Sequence, residues 1–342
     1  ADPGEGTDCV NGLGPIVVWD EHQLSANLYE ALGYPDVVTV EKEHVNVPML
    51  EGLSDHCLVA PSAEAIRICQ HRGREKTLLQ SLGIETAPFH LVDDASSLID
   101  AVTAVGYPAF VKSCEQGYDG QNQWHLRDSA ALEALAAQMH SLPPLVVEGA
   151  VHFDRELSMI AARALSGEVA LYPLAENRHR EGILLTSEVP AADVSPETQA
   201  QASHIAHRLL EHWSYVGVLS IELFDEGGSL RVNELAPRVH NSGHWSQDAG
   251  VTSQFSNHIR AITDTRPGAT QPPCYAGLLN LLGRTPDTAL LQSNDVSLHW
   301  YTKSLRRRRK VGHLNVQGTD RETAKKRLSE REAALYPEGD AL

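Results

Sequence analysis

The sequence predicts an α/β protein of more than one domain, on three observations. An apolar run at residues 16–19, a helix-periodic stretch at 23–32 and a second apolar run at 37–40 read as one strand–helix–strand unit of a parallel sheet. Late in the chain, the apolar runs 216–224 and 230–235 flank Asp225, Glu226, Gly227 and Gly228, the composition of a hairpin turn between antiparallel strands. The chain's 342 residues suffice for two or three domains around a sizeable core.

The elements follow in order. Residues 1–15 are Gly-rich and acidic and carry no periodicity. Residues 63–82 have helical spacing, and Gly73, a poor helix former, predicts a break into two segments. Residues 109–112 read as a strand entering a loop at 113–122, and the Ala- and Leu-rich residues 130–140 read as a helix. Strands are expected at 145–148, 157–164 and 169–174, and a long helix at 195–212. After the hairpin come a helix at 253–262, a Pro-bearing linker at 267–273 and short apolar strands. A basic run at 306–310 and a charged helix at 320–334 close the chain. No internal repeat is visible.

Composition excludes some functions. Lys plus Arg number 28 against 45 Asp plus Glu, a formal charge of -17. That balance argues against a general binder of nucleic acid or of membrane surfaces, yet it permits a local basic pocket. The five cysteines (Cys9, Cys57, Cys69, Cys114 and Cys274) form no C-x-x-C pair and read as reduced thiols. No apolar run reaches the roughly 18 residues of a membrane span, and no signal-peptide pattern opens the chain. A soluble, cytoplasmic protein is expected.

The chemistry concentrates around the hairpin. Two antiparallel strands would bring Glu222 and Glu234 side by side, where like charges repel unless a cation lies between them, and Mg²⁺ suits two carboxylates. Asn233 adds an amide oxygen. Arg238, His240, Asn241, Ser242 and His244 follow within a few residues, a density of donors that packing does not explain. Upstream, Lys112 ends a strand before a glycine-bearing loop, whose backbone N–H groups can wrap phosphates while the lysine neutralises them.

The run N-E-L-A-P-R-V-H-N-S-G-H-W, from Asn233 to Trp245, resembles the signature of the ATP-grasp family. Within that family it resembles the 5-(carboxyamino)imidazole ribonucleotide synthases, with Val239 where proline is usual. The resemblance extends from about residue 36, where D-V-V-T-V-E-K-E-H-V matches, to about residue 315. It implies an ATP-grasp fold with a shortened N-terminal nucleotide-fold-like domain (1–71), an ATP-grasp domain (72–264, with a lid at about 110–160) and a small C-terminal β-rich domain (265–342).

The resemblance also implies roles. Glu222 and Glu234 would hold Mg²⁺, with Asn233 beside them at the nucleotide. The loop around Gly117, Tyr118, Asp119, Gly120 and Gln123 would cover the ATP phosphates with Lys112. Gln116, Gln121 and Asn122 stand there where two glycines and a basic residue are usual. Arg72 would reach ATP. Glu148 and Val151 would form the adenine hinge, with Glu148 accepting from the base amino group. Glu156 would hold the ribose hydroxyls, and His179 would lie near the phosphates. Arg238, His240 and Asn241 would handle bicarbonate and carboxyphosphate together with Lys112. Tyr118 would meet the aminoimidazole ribonucleotide.

Trp300 to Asn315 resembles W-Y-G-K-x-x-R-x-G-R-K-x-G-H, in which Lys303, Arg309 and Lys310 would bind the substrate's 5′-phosphate. Arg307 and Arg308 replace residues that are usually Pro and Gly. By itself the basic run also fits RNA binding or a solvated patch. The acidic whole and the lack of interleaved aromatics weigh against nucleic acid.

The expected reaction is ATP- and bicarbonate-dependent carboxylation of the amine of 5-aminoimidazole ribonucleotide in purine biosynthesis, by a homodimer. Two alternatives stay open from the altered loop: another amine acceptor, or nucleotide binding without efficient turnover.

Overall fold

A computed structural model of the chain describes residues 12–17, 28–115, 122–292, 294–301 and 303–337. Among the described residues three sheets are present. The first is a parallel pair, β1 (Val37–Val38) with β2 (Leu58–Val59). Helices α1 (Leu28–Ala31), α2 (Val47–Ser54) and α3 (Ala63–Cys69) pack Leu50, Leu53 and Ile66 beside it. The expected strand at 16–19 is not seen at Ile16 and Val17, which have no regular structure, and residues 18 and 19 lie outside the described residues. The expected helix at 23–32 is described only from Leu28 on.

The helical pair at 63–82 breaks earlier than Gly73. Helix α4 runs Arg72–Ser81, and His71 caps it by accepting the Arg74 N–H at 3.2 Å. Gly73 lies inside α4 for a packing reason, since a Cβ there would sit 2.6 Å from Leu91 Cδ2.

The second sheet orders its strands β3-β6-β4-β5, all antiparallel: β3 (Phe89–Val92), β4 (Ala109–Ser113), β5 (Gln123–Leu126) and β6 (Leu145–Gly149). Helices α5 (Ala95–Val105) and α6 (Ser129–Ala136) set Leu98, Val102, Leu132 and Leu135 against Val111, Leu145 and Val147. Helix α6 is shorter than the sequence suggests, with a 3-10 turn at Met139–Ser141 in place of its last α-helical turn.

The third sheet has nine strands in the order β12-β11-β7-β9-β10-β13-β15-β14, with β8 also on β7. They are β7 (Arg155–Arg163), β8 (Val169–Leu171), β9 (Ala175–Arg180), β10 (Ile183–Val189), β11 (Gly217–Glu226), β12 (Ser229–Ala236), β13 (Tyr275–Leu282), β14 (Val296–Trp300) and β15 (Lys310–Gly318).

Helix α7 (Pro196–His212) starts where the sequence places it, with Ser195 accepting the Thr198 N–H at 3.0 Å and Pro196 in the first turn. Its buried Ala202, Ile205, Ala206, Leu209 and Leu210 recur at helical spacing and pack on Met159, Ala161, Leu219 and Ile221. The alternate strand residues Ile160, Ala162 and Val218 pack with Trp245 instead. Helix α8 (Gln254–Ile262) packs on β11 and β7, and α9 (Arg321–Leu335) on β13 and β15. Residues 267–273 are irregular, as expected, and the strands after them join the same large sheet. No helix among the described residues is long and apolar enough to cross a membrane.

Candidate active site

The hairpin β11–β12 turns on Gly227 and Gly228, whose φ of 59° and 94° lie in the left-handed region that glycine tolerates. Its register sets Glu222 opposite Glu234. One step further Leu223 faces Val232, so Asn233 is an extra residue on β12, a β-bulge at the carboxylate pair. Asn233 Nδ2 approaches Glu222 Oε2 at 3.5 Å, and His240 Nε2 lies 3.1 Å from Glu222 Oε1.

Each glutamate bears on the charge of the other. Burial pushes the Glu222 carboxyl up, but His240 and the other donors around it outweigh that and hold it well below the usual range. Burial and the Glu222 charge push Glu234 up, against Arg72 and Lys112. Among the described residues no group of three or more His, Cys, Asp or Glu could hold a metal alone. Two carboxylates and an amide oxygen suit Mg²⁺, which takes its remaining ligands from phosphates and water.

Past β12 the chain enters a 3-10 turn, Asn241–Gln247, capped by His240. The Gln254 side chain clamps this turn. Its Oε1 accepts the His240 N–H at 2.8 Å, and its Nε2 donates to His240 O at 2.7 Å with His244 Nδ1 at 2.9 Å. The clamp requires Gly243, where a Cβ would sit 2.6 Å from Gln254 Oε1.

Arg238 is held by Glu43, with Nε 3.1 Å from Oε2 and Nη2 donating to Oε1 at 3.2 Å. Glu43 was not singled out from the sequence, although it lies in the matched run 36–45.

The facing wall belongs to the four-stranded sheet. Glu148 on β6 is buried between two lysines, Lys112 at 2.9 Å and Lys76 at 3.3 Å. Burial raises its carboxyl, but the two ammonium groups outweigh that and lower it. Lys76, fully enclosed on α4, also donates to Thr86 Oγ1 at 3.2 Å. Its neighbour Glu75 accepts the Leu235 N–H at 3.1 Å, joining α4 to the metal-site strand β12. Lys76 was missed as well; a lysine on the apolar side of a short helix was the available clue. Arg72 opens α4 and donates to Ser113 O at 2.9 Å. Val151 is half-buried just beyond β6.

A cleft is lined by Glu156, His179, Glu222 and Asn233 together. His179 Nδ1 contacts Glu156 Oε2. Burial lowers the His179 imidazole, but Glu156 and the two glutamates outweigh it and raise its pKa.

Of the predicted phosphate loop, Gly117, Tyr118, Asp119 and Gly120 lie outside the described residues, as do Gln116 and Gln121. Gln123 lies exposed on β5, paired with Lys112 across the strands. Asn122, where a glycine is usual in the resembled loop, takes φ 54°, left-handed backbone that asparagine tolerates. Arg308 likewise stands at φ 65° where glycine is usual, and it bonds Glu181 at 2.9 Å.

The last strands bring a cation to the hairpin. Lys310 Nζ donates to Asn241 Oδ1 and lies 5.5 Å from the Tyr301 ring. Lys303 lies 5.4 Å from the same ring, exposed. Arg309 donates to Ser304 Oγ at 2.9 Å. Tyr301 Oη meets His313 Nδ1 at 2.7 Å, and His313 stacks on His299 with centroids 4.5 Å apart. Thus Glu222, Glu234, Asn233, His240, Asn241 and Lys310 converge, and Lys112, Glu148 and Arg72 face them.

An ATP-grasp domain model matches residues 77–255, and the model of the phosphoribosylaminoimidazole carboxylase C-terminal domain matches residues 276–327. The chain is 40% identical over 304 residues to the N5-carboxyaminoimidazole ribonucleotide synthase of Vibrio vulnificus, covering 87% of this chain and 80% of that protein. Its structure is similar to the crystal structure of N5-carboxyaminoimidazole ribonucleotide synthetase from Thermus thermophilus. The TM-score is 0.89 at 39% identity, over 99% of this chain and 92% of that one. It is also similar to the Aspergillus clavatus synthase in complex with ADP and 5-aminoimidazole ribonucleotide, with a TM-score of 0.80 at 28% identity, over 90% of this chain and 85% of that one.

Proposed function

This chain belongs to the N5-carboxyaminoimidazole ribonucleotide synthases of the ATP-grasp family, and from that premise we propose that it carboxylates the exocyclic amine of 5-aminoimidazole ribonucleotide with ATP and bicarbonate. The observation that carries the proposal is the opposed pair Glu222 and Glu234, with His240 on the first and the Lys112–Glu148 pair facing them.

Adenine sits against the β6 hinge at Glu148 and Val151. Glu148 accepts from the base amino group once Lys112 turns to the phosphates, and Lys76 keeps the buried carboxylate paired meanwhile. Arg72, His179 and Lys112 meet the phosphates, and Glu156 the ribose hydroxyls. Gly117, Asp119, Gly120 and Gln123 belong to the loop over the phosphates. Glu222 and Glu234 would hold Mg²⁺, with Asn233 beside them at the nucleotide, and the ion would neutralise charge developing on the phosphates.

Bicarbonate attacks the γ-phosphorus, the bond to ADP breaks, and carboxyphosphate forms. Arg238 offers a fork to the planar carboxyl group, and His240 and Asn241 supply oriented donors. The amine takes its carboxyl group from carboxyphosphate or from the CO₂ it releases, and inorganic phosphate departs. Lys303, Arg309 and Lys310 hold the ribonucleotide's 5′-phosphate, with Tyr118 beside the ring.

Residues 72–264 act as the ATP-grasp domain, with residues 110–160 closing as a lid that keeps water from carboxyphosphate. Residues 1–71 and 265–342 act as flanking domains. The chain works as a cytoplasmic homodimer, which sedimentation tests.

The deciding experiment measures ADP release with bicarbonate, with and without 5-aminoimidazole ribonucleotide. Stimulation by the ribonucleotide together with the carboxylated product is expected. Nucleotide binding without turnover, or stimulation by another amine alone, would overturn the reading.

A further inference from the structure

Behind His240 runs a line of buried side chains that the reaction itself does not call on. Ser187 on β10 donates to Asn177 Oδ1 at 2.7 Å. Asn177 on β9 donates from Nδ2 to Ser158 Oγ at 2.8 Å. Ser158 on β7 donates to Ser242 Oγ at 2.8 Å, and Ser242 Oγ meets His240 Nδ1 at 2.9 Å. All four residues are buried.

The direction of the line follows from chemistry. A carbonyl oxygen only accepts and an amide NH₂ only donates, so Asn177 makes Ser187 a donor and Ser158 an acceptor. Ser158 gives its one proton to Ser242, which leaves the Ser242 proton available to Nδ1. The Ser242 backbone N–H also points at Nδ1, at 3.3 Å. A backbone N–H can only donate, so this ring nitrogen is the acceptor. The imidazole proton therefore sits on Nε2, 3.1 Å from Glu222 Oε1.

We propose that Ser242, Ser158, Asn177 and Ser187 are positioning residues that fix His240 as its Nε2–H tautomer, facing Glu222. The line rests on the reading of Glu222 as a metal carboxylate and of His240 as a bicarbonate-site donor. Register supports it independently. Ser158 lies opposite Glu222 in the β7–β11 pair, and Ser187 opposite Asn177 in the β9–β10 pair, so these side chains share the face of the sheet that carries the site. A buried hydroxyl or amide left without a partner costs about 1–3 kcal/mol, so four in a row persist only as a satisfied set. Groups that orient a metal's ligands from outside change affinity or activity about 10- to 100-fold when removed; these side chains act one step further out, by orienting His240 on Glu222.

The test reads the tautomer directly. The chain is labelled with ¹⁵N-histidine, and the ring nitrogens of His240, assigned by their loss in His240→Gln, are recorded without nucleotide at about pH 8.5, well above the ordinary imidazole pKa. The Nε2–H pattern is expected in the wild type and a partial shift toward Nδ1–H in Ser242→Ala, which keeps the backbone N–H on Nδ1 but loses the hydroxyl. In the same variant kcat should fall about 10- to 100-fold, with the KM for ATP little changed. Ser158→Ala, which leaves the capping turn untouched, should do the same more weakly, and Ser158→Thr, which keeps the hydroxyl, should restore both. An Nδ1–H wild type overturns the proposal. So does kcat lost with the tautomer unchanged, which marks a merely structural serine, or a tautomer changed with kcat intact. A wild type that fails to carboxylate sinks the ligase reading alone, because the tautomer is read without turnover.

Discussion

Glu234 shows what a single carboxylate does when a strand register forces it beside another. Burial and Glu222 push its carboxyl above the ordinary range, so at neutral pH its charge works against the fold unless a cation is bound. Glu234→Gln is therefore expected to abolish Mg-ATP turnover while raising, not lowering, the stability of the protein in the presence of EDTA. Unchanged turnover, or a lower melting temperature in EDTA, would contradict this. The pair was legible in the sequence because its signal is local: two apolar runs, each carrying one glutamate, around a glycine turn. Glu43, Lys76 and the Ser158–Asn177–Ser187 line were not. Their partners lie from 10 to 195 residues away, as with Ser187 and Asn177 at the near end and Arg238 and Glu43 at the far end. Nothing in the neighbouring residues distinguishes a serine that donates to a distant serine from one that faces water.

At the scale of elements, local turn chemistry separates what could be read from what could not. Gly227-Gly228 announces the β11–β12 hairpin. The β9–β10 hairpin uses the same left-handed geometry at Glu181 and Gly182, with φ of 52° and 79°, but a glutamate in its first position hides it. Strands β3 and β5 were missed because much of their surface is exposed and no apolar alternation marks them. The hairpin makes a contrast that stability can test. Gly227 at φ 59° has open space where a Cβ would stand, whereas Gly228 at φ 94° has Thr198 Oγ1 at 3.2 Å. Gly227→Asn should stabilise by a few tenths to about 1 kcal/mol, and Gly228→Ala should destabilise by more than that. Urea midpoints of the two variants on the same side of wild type would refute the turn assignment.

Across the whole molecule, acid is expected to loosen the fold through its buried histidines. Burial holds the His258 imidazole down to about 4, while its Nδ1 accepts the Val218 N–H at 3.1 Å and its Nε2 meets Thr39 Oγ1 at 2.8 Å. His313 is held down to about 2, first by burial and then by Lys310 and His299. Between the ordinary histidine value and about 4 the unfolded chain binds protons at these positions and the folded chain does not. Their stabilising contribution is thus complete above about pH 6.5 and is lost as pH falls toward 4, by about 3 kcal/mol for His258 alone. His258→Gln should flatten the fall in urea stability between about pH 6.5 and 4; an unchanged slope would exclude His258 as its source. The contacts Arg238–Glu43 and Lys310–Asn241 carry a different consequence. They close long loops from both ends of the chain onto one short turn, and loop closure yields nothing until both ends have arrived. The working geometry is thus the last thing the chain acquires as it folds. In refolding from urea, helical circular dichroism should return first and ATP turnover later, and simultaneous recovery would refute that order.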